Sequence, residues 1–364
     1  MSIRERPFLR QVQHVHPDAR DPRTAAVRQQ IRRDFGVLVP PFALHLPVPG
    51  ALSAYWAIIR EPTHGRRVDR ATKEAVAAAV SAANTCPYCV DVHTTTLHAL
   101  GEPASAAAIA AGQPDAIADP DLHAVVTWAR ATRHPDAPIL RQRPFPDEHA
   151  PELIGVALAY HYINRMVNIF AAASPFPVAT PGLKPLMTRI AALGFRRLLA
   201  REVHPGASLD LLPPAPLPDD LAWARGDPII AGAYARAAAA FDAAGRQALP
   251  EPVRNLVTAW LTTWRGEEPG LSRGWAENAL QALPAPQRPQ GRLALLAALA
   301  SYQVDAHVLG DARTGPGPAG DETLVATAAW ASFAAARRIG SWLHTAPAAT
   351  THREALTGEG AGYG

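Results

Sequence analysis

The chain of 364 residues is poor in cysteine and lysine. It has two cysteines, Cys86 and Cys89, and two lysines, Lys73 and Lys184, so the other 33 basic residues are arginines. So few thiols argue against a disulfide-stapled secreted domain. In a reducing cytosol a lone close pair points to catalysis or metal binding rather than to a structural staple. Long apolar runs are also missing: none approaches the roughly 20 residues needed to cross a bilayer. The first twenty residues carry a charge every few positions without the apolar core of a secretory signal. A soluble, cytoplasmic protein with no membrane partner is expected. Basic residues outnumber acidic ones by only 35 to 32, and no basic cluster stands out, so nothing marks a nucleic-acid partner. With 48% apolar and 18% charged residues, the chain has globular rather than disordered composition.

Alanine, leucine and 36 prolines are abundant. Nearly every long segment places apolar residues at helical spacing, and alternating strand patterns are scarce, so the fold class expected is all-α. Helices are expected over 50–60, 72–83, 87–100, 104–111, 120–132, 146–170 and 183–201. In the second half they fall at 227–244, 250–265, 274–283, 290–309 and 321–344.

The halves resemble each other. A displacement of 179 residues lays Pro49 on Pro228 and Ala54-Tyr55 on Ala233-Tyr234; one of 180 lays Gly65-Arg66 on Gly245-Arg246. At 173, the helix of residues 152–170 falls over the one near the C-terminus, with Arg165 on Arg338. Two tandem helical units follow, an internal duplication with a few insertions and deletions. The organisation expected is an N-terminal extension (1–35) on the surface, a first unit (36–172), a proline-rich linker holding one helix (173–223), a second unit (224–345) and a flexible tail (346–364).

The chemistry concentrates between Glu74 and His93. Asn84 and Thr85 are good N-cap residues, Pro87 suits a first turn and Gly101 a helix stop, so the cysteines open a helix. Positions 86, 89 and 93 then share one stripe of it. A helix N-terminus and a nearby imidazolium stabilise a thiolate, and two sulfurs this close can cycle between dithiol and disulfide. Glu74 sits in an otherwise apolar run, where a buried carboxylate needs a partner. His93 is the obvious one, with Arg70 or Arg67 the solvated alternative. Zinc is the other chemical reading of the cysteines. It wants four ligands, and this helix offers three, with Asp91 and His98 on other faces. Two buried, inert cysteines are the bland reading. His14 and His16, two apart near the N-terminus, form a weak metal pair. No metal, haem or flavin motif is visible, so no cofactor is expected.

Glu74, eleven residues, Cys86, two residues, Cys89, three residues and His93 together match the pattern of the AhpD-like alkylhydroperoxidases of the carboxymuconolactone decarboxylase superfamily. The run from Cys86 to Gly101 resembles that family's active-site helix, and His161 to Asn168 resembles its later helix bearing an Asn-Arg pair, here Asn164-Arg165. This resemblance implies an all-helical fold that oligomerises, with catalytic Cys86, Cys89, His93 and Glu74. It implies reduction of a hydroperoxide by the dithiol, regenerated by a dithiol donor such as a lipoyl protein or working with a peroxiredoxin partner. On this analogy Cys89 meets the oxidant, Cys86 resolves it, and His93 with Glu74 relays the proton. Some members carry histidine where this chain has Tyr88. The second unit, Thr263 to Gly270 at the matching place, has neither cysteine, and its expected role is to supply the contact a second subunit would make. A carboxylactone-processing enzyme of the same superfamily and a non-catalytic redox sensor remain as alternatives.

Overall fold

The structure, a computed structural model, describes residues 21–36, 38–171, 174–175, 184–199, 201, 203–314 and 320–344. His14 and His16, the tail 346–364 and parts of the proline-rich linker lie outside the described residues. The first half contains α1 (Pro22–Phe35), α2 (Pro40–Ala43), α3 (Pro49–Thr63), α4 (Arg70–Ala83), α5 (Pro87–Ala99), α6 (Pro103–Ala110), α7 (Pro120–Ala131), α8 (Pro138–Arg141) and α9 (Ala150–Phe170). After α10 (Lys184–Leu199) come α11 (Pro228–Ala248), α12 (Glu251–Thr263), α13 (Gly274–Leu280), α14 (Arg288–Leu299), α15 (Ala306–Thr314) and α16 (Asp321–His344). The fold is all-α, with no strand element among the described residues, and it is built from two tandem units.

Proline sets the helix starts. It stands in the first turn of α1, α3, α5, α6, α7, α9 and α11, where its fixed φ suits the helix and its missing N–H is not needed. Asp21, Asp69, Asp119 and Asp227 cap α1, α4, α7 and α11 with side-chain bonds to first-turn N–H groups. The single helix expected over 290–309 is instead two. Its backbone breaks at Ala300 (φ −147°), where Arg273 holds the Gln303 carbonyl. Asp305 then starts α15 afresh by accepting from the Val308 N–H at 3.0 Å. The N-terminal segment contributes α1, whose Val27 and Ile31 are fully buried.

Corresponding helices of the two units pack on each other: α3 lies along α11, and α9 along α16. The repeat had matched these same pairs. Their contact is aromatic and close-packed. Tyr162 of α9 meets Phe241 of α11 at 4.9 Å between ring centroids, and Phe241 meets Phe333 of α16 at 4.5 Å. Tyr234 donates to the Gly155 carbonyl at 2.5 Å. Approach this close requires glycine. Across the units a Cβ on Gly340 of α16 would stand 2.7 Å from Leu158 of α9, and within the second unit one on Gly245 of α11 would stand 2.4 Å from the buried Trp330 ring of α16. Two faces meet as an isologous dimer interface would, but within one chain.

Gly245→Val therefore overpacks the α11–α16 contact and should cost about 1–3 kcal/mol. Urea denaturation checks this: the midpoint should fall with the slope unchanged.

Candidate active site

The turn from α4 to α5 is where the site is made. Asn84 and Thr85, expected to cap α5, instead close α4. The Cys86 N–H returns to the Ser81 carbonyl (2.9 Å) and the Thr85 N–H to Ala82 (3.2 Å), a Schellman arrangement. Its left-handed position, usually glycine, is held by Thr85 at φ +50°, the one non-glycine residue of positive φ among the described residues. A β-branched residue there is strained. The strain sits directly before Cys86, which becomes the N-cap of α5. Gly101 ends that helix as expected, at φ +98°.

Both cysteines are free and buried. Cys89 and His93 are one helical turn apart on α5, and Glu74 reaches His93 from α4: its Oε2 lies 2.6 Å from Nδ1. Oε1 of the same carboxylate is held by Arg70 at 2.7 Å. So the sequence's two proposed partners for Glu74, His93 and an arginine, are both present, one on each oxygen. Burial alone would raise the Glu74 pKa, but the Arg70 and His93 charges and hydrogen bonds outweigh it and hold the group at about 2. An ionised carboxylate only accepts, so Nδ1 carries a proton, and in the neutral ring the lone pair is on Nε2. Tyr160 of α9 covers this group edge-on, 4.6 Å from the His93 ring. The Tyr160 hydroxyl is pushed up by burial and by the neighbouring Glu74 and Cys89. Tyr88 packs nearby, and burial followed by the two cysteines raises its pKa as well.

The Cys89 thiol is also pushed up, first by its hydrogen bond with Cys86 and then by burial, while a hydrogen bond from Asn164 opposes both. Asn164 ends a buried polar chain that single-residue reading of the sequence missed. Thr132 Oγ1 donates to the Ala129 carbonyl (2.7 Å), so at 2.8 Å it must accept from His161 Nε2. His161 Nδ1 then accepts from Asn84 Nδ2 at 3.0 Å, and the same Asn84 amide donates to Asn164 Oδ1 at 3.0 Å. Asn164 Nδ2 is thereby oriented, with one N–H to Ser81 Oγ at 3.0 Å and the other available to the sulfur. His161 is kept neutral by burial and by Arg165. The signal was present in the His161-to-Asn168 run, but its partners at 81, 84 and 132 are remote in sequence.

Arg165, the other half of the Asn-Arg pair, turns away from the thiols. It donates to the Ala298 carbonyl (3.0 Å) and lies 5.9 Å over the Trp264 ring in the second unit. Burial, then Arg133, lowers its pKa to about 9. In the second unit the stretch matching the cysteine turn is not helical. Gly266 (φ +90°) packs so tightly that a Cβ would meet the Arg133 carbonyl at 1.8 Å, and Arg133 bonds Gly266 O and Glu268, each at 2.8 Å. No group of three or more His, Cys, Asp or Glu side chains among the described residues is arranged to hold a metal ion. No helix among them is long and apolar enough to cross a membrane.

Two outcomes follow from this geometry. Glu74 has a folded pKa below its unfolded one, so its stabilisation is full above about pH 4.5 and lost as pH falls toward 2. Between urea denaturations at pH 5 and pH 3, wild type should lose more stability than Glu74→Gln. Asn164→Ala removes a donor to an anionic sulfur, so iodoacetamide should alkylate Cys89 at neutral pH on the order of tenfold more slowly.

Compared with known proteins, residues 49–131 match the model of the carboxymuconolactone decarboxylase family. The chain is 39% identical over 351 residues, 96% of its own length and 99% of the relative's, to the alkyl hydroperoxide reductase Rv2159c of Mycobacterium tuberculosis. No solved structure matches. With the Glu74–His93 pair in place beside the two thiols, the chain belongs to the AhpD-like proteins of the carboxymuconolactone decarboxylase superfamily.

Proposed function

We propose that the protein is an oxidoreductase that reduces hydroperoxides with the Cys86–Cys89 dithiol. The observation that carries this reading is the 2.6 Å contact of Glu74 with His93 Nδ1, which leaves Nε2 as a base one turn from Cys89. The 39% identical relative, named an alkyl hydroperoxide reductase, supports the same chemistry.

A thiol pushed up by burial and by its neighbour needs help to ionise. His93 Nε2 takes the Cys89 proton, and the imidazolium is stabilised by the Glu74 carboxylate. The Cys89 sulfur attacks the outer peroxide oxygen; the O–O bond breaks, and the alkoxide leaves as alcohol with the His93 proton. Cys89 is then a sulfenic acid. Cys86 attacks that sulfur, expelling hydroxide, which leaves as water with the Cys86 proton. Two electrons have passed from two thiols to the peroxide. A dithiol donor, such as a reduced lipoyl group, restores the pair by thiol–disulfide exchange, and a peroxiredoxin partner would instead take the two electrons from the dithiol. The second unit, lacking cysteines, performs no such step. Its α11 and α16 support α3 and α9, and α9 carries Asn164 and Tyr160.

Peroxide consumption with dihydrolipoamide as donor tests the reading. Wild type should turn over, Cys86→Ser and Cys89→Ser should fall to background, and His93→Gln should lose on the order of 10²-fold or more, as for a general base. Full turnover by either serine variant would overturn it.

A further inference from the structure

A cavity of about 310 Å³ lies between the end of α1, the turn after α3, the start of α4 and the segment following α10. Arg66, Arg70, Lys73 and Arg201 stand in its walls, with Asp34 as the one acid and His64 beside them. It shares Arg70 with the cysteine site and takes in none of Glu74, Cys86, Cys89 or His93.

The charges of these walls do not cancel. Asp34 is neutralised from behind by Arg60 and Arg33, each at 2.8 Å, and neither lines the cavity. Lys73 is matched from outside by Glu152 at 2.6 Å, and Arg70 by Glu74 at 2.7 Å. Arg66 and Arg201 find no carboxylate among the described residues. Arg201 gives one nitrogen to the Arg33 and Arg32 carbonyls, at 2.6 and 3.4 Å, and its remaining N–H groups are available. Among the described residues, two positive charges are thus left on the wall of one hollow.

His64 stands in the same wall. Burial, followed by the nearby Arg70 and Arg60, presses the His64 pKa down to about 3. The ring registers the same positive field and stays neutral.

We propose that this cavity binds a small organic acid, its carboxylate or phosphate group held between Arg66 and Arg201, with His64 in the wall beside them. The volume lies at the lower end of the range for small-molecule sites. Guanidinium groups suit oxyanions because they donate two parallel, charge-assisted hydrogen bonds. The site does not depend on the peroxide reading.

Calorimetric titration of the full chain, at constant ionic strength in chloride, tests it with three probes: succinate, inorganic phosphate and the uncharged succinamide. At least one anion should bind saturably, one per chain, and succinamide should not; which anion binds identifies the head group. Arg66→Ala, at an exposed position, and Arg201→Ala should each weaken binding on the order of tenfold, with the helical circular dichroism unchanged. The site is refuted if neither anion saturates at millimolar concentration, if succinamide binds as tightly as succinate, or if the folded Arg66→Ala protein binds like wild type.

Discussion

Glu74 is a carboxylate buried in an alanine-rich helix, and the site depends on how that burial is balanced. Removing such a group from water is costly, and it stays ionised only because Arg70 and His93 each take one of its oxygens. Arg70 fixes the carboxylate from its own helix, four residues back, and leaves the other oxygen to orient an imidazole on the next helix. This one shared anion thereby ties α4 to α5 and sets which His93 nitrogen faces Glu74, one helical turn from Cys89. Replacing either partner would leave the Glu74 charge without compensation in the core rather than merely loosen a contact.

The thiols are served by a second device of opposite character. Thr132, His161, Asn84 and Asn164 form an uncharged chain in which each donor and acceptor role is fixed by the one before. It can aim an amide N–H at Cys89 because His161 remains neutral. Thr85, in a glycine's conformation, permits the chain to form: the turn it closes frees the Asn84 side chain from capping α5 and sends it toward α9. In the proposed reaction, with an ion-paired carboxylate behind His93 and an uncharged chain ending at Asn164, proton transfer falls to His93.

Much of this was legible in the sequence, for identifiable reasons. Proline and aspartate at helix starts, and the 3.6-residue spacing between them, gave most elements within a few residues. The Glu74 to His93 contact was legible from spacing because its members lie close along the chain. The break at Ala300 was not readable, since it is held by Arg273 from a remote segment. Nor was the cap of α5, because Asn84 and Thr85 suit a helix start in isolation and only the closing of α4 claims them. The role of Asn164 depends on Ser81 and Asn84, more than 79 residues away. The repeat, faint as sequence, has physical content in the pairing of α3 with α11 and α9 with α16, where Gly340 admits Leu158. A fold that needs two such faces can obtain the second from its own chain.

The central claim is that Cys86 and Cys89 act as one two-electron couple. Its most direct measurement is intact-protein and peptide mass spectrometry after one equivalent of an alkyl hydroperoxide is added to the fully reduced chain. A rapid loss of two hydrogens, mapped to a bond between Cys86 and Cys89 and reversed by a dithiol, is the result predicted. Two thiols left unchanged, or oxygen added to one sulfur with no bond between them, would contradict the account.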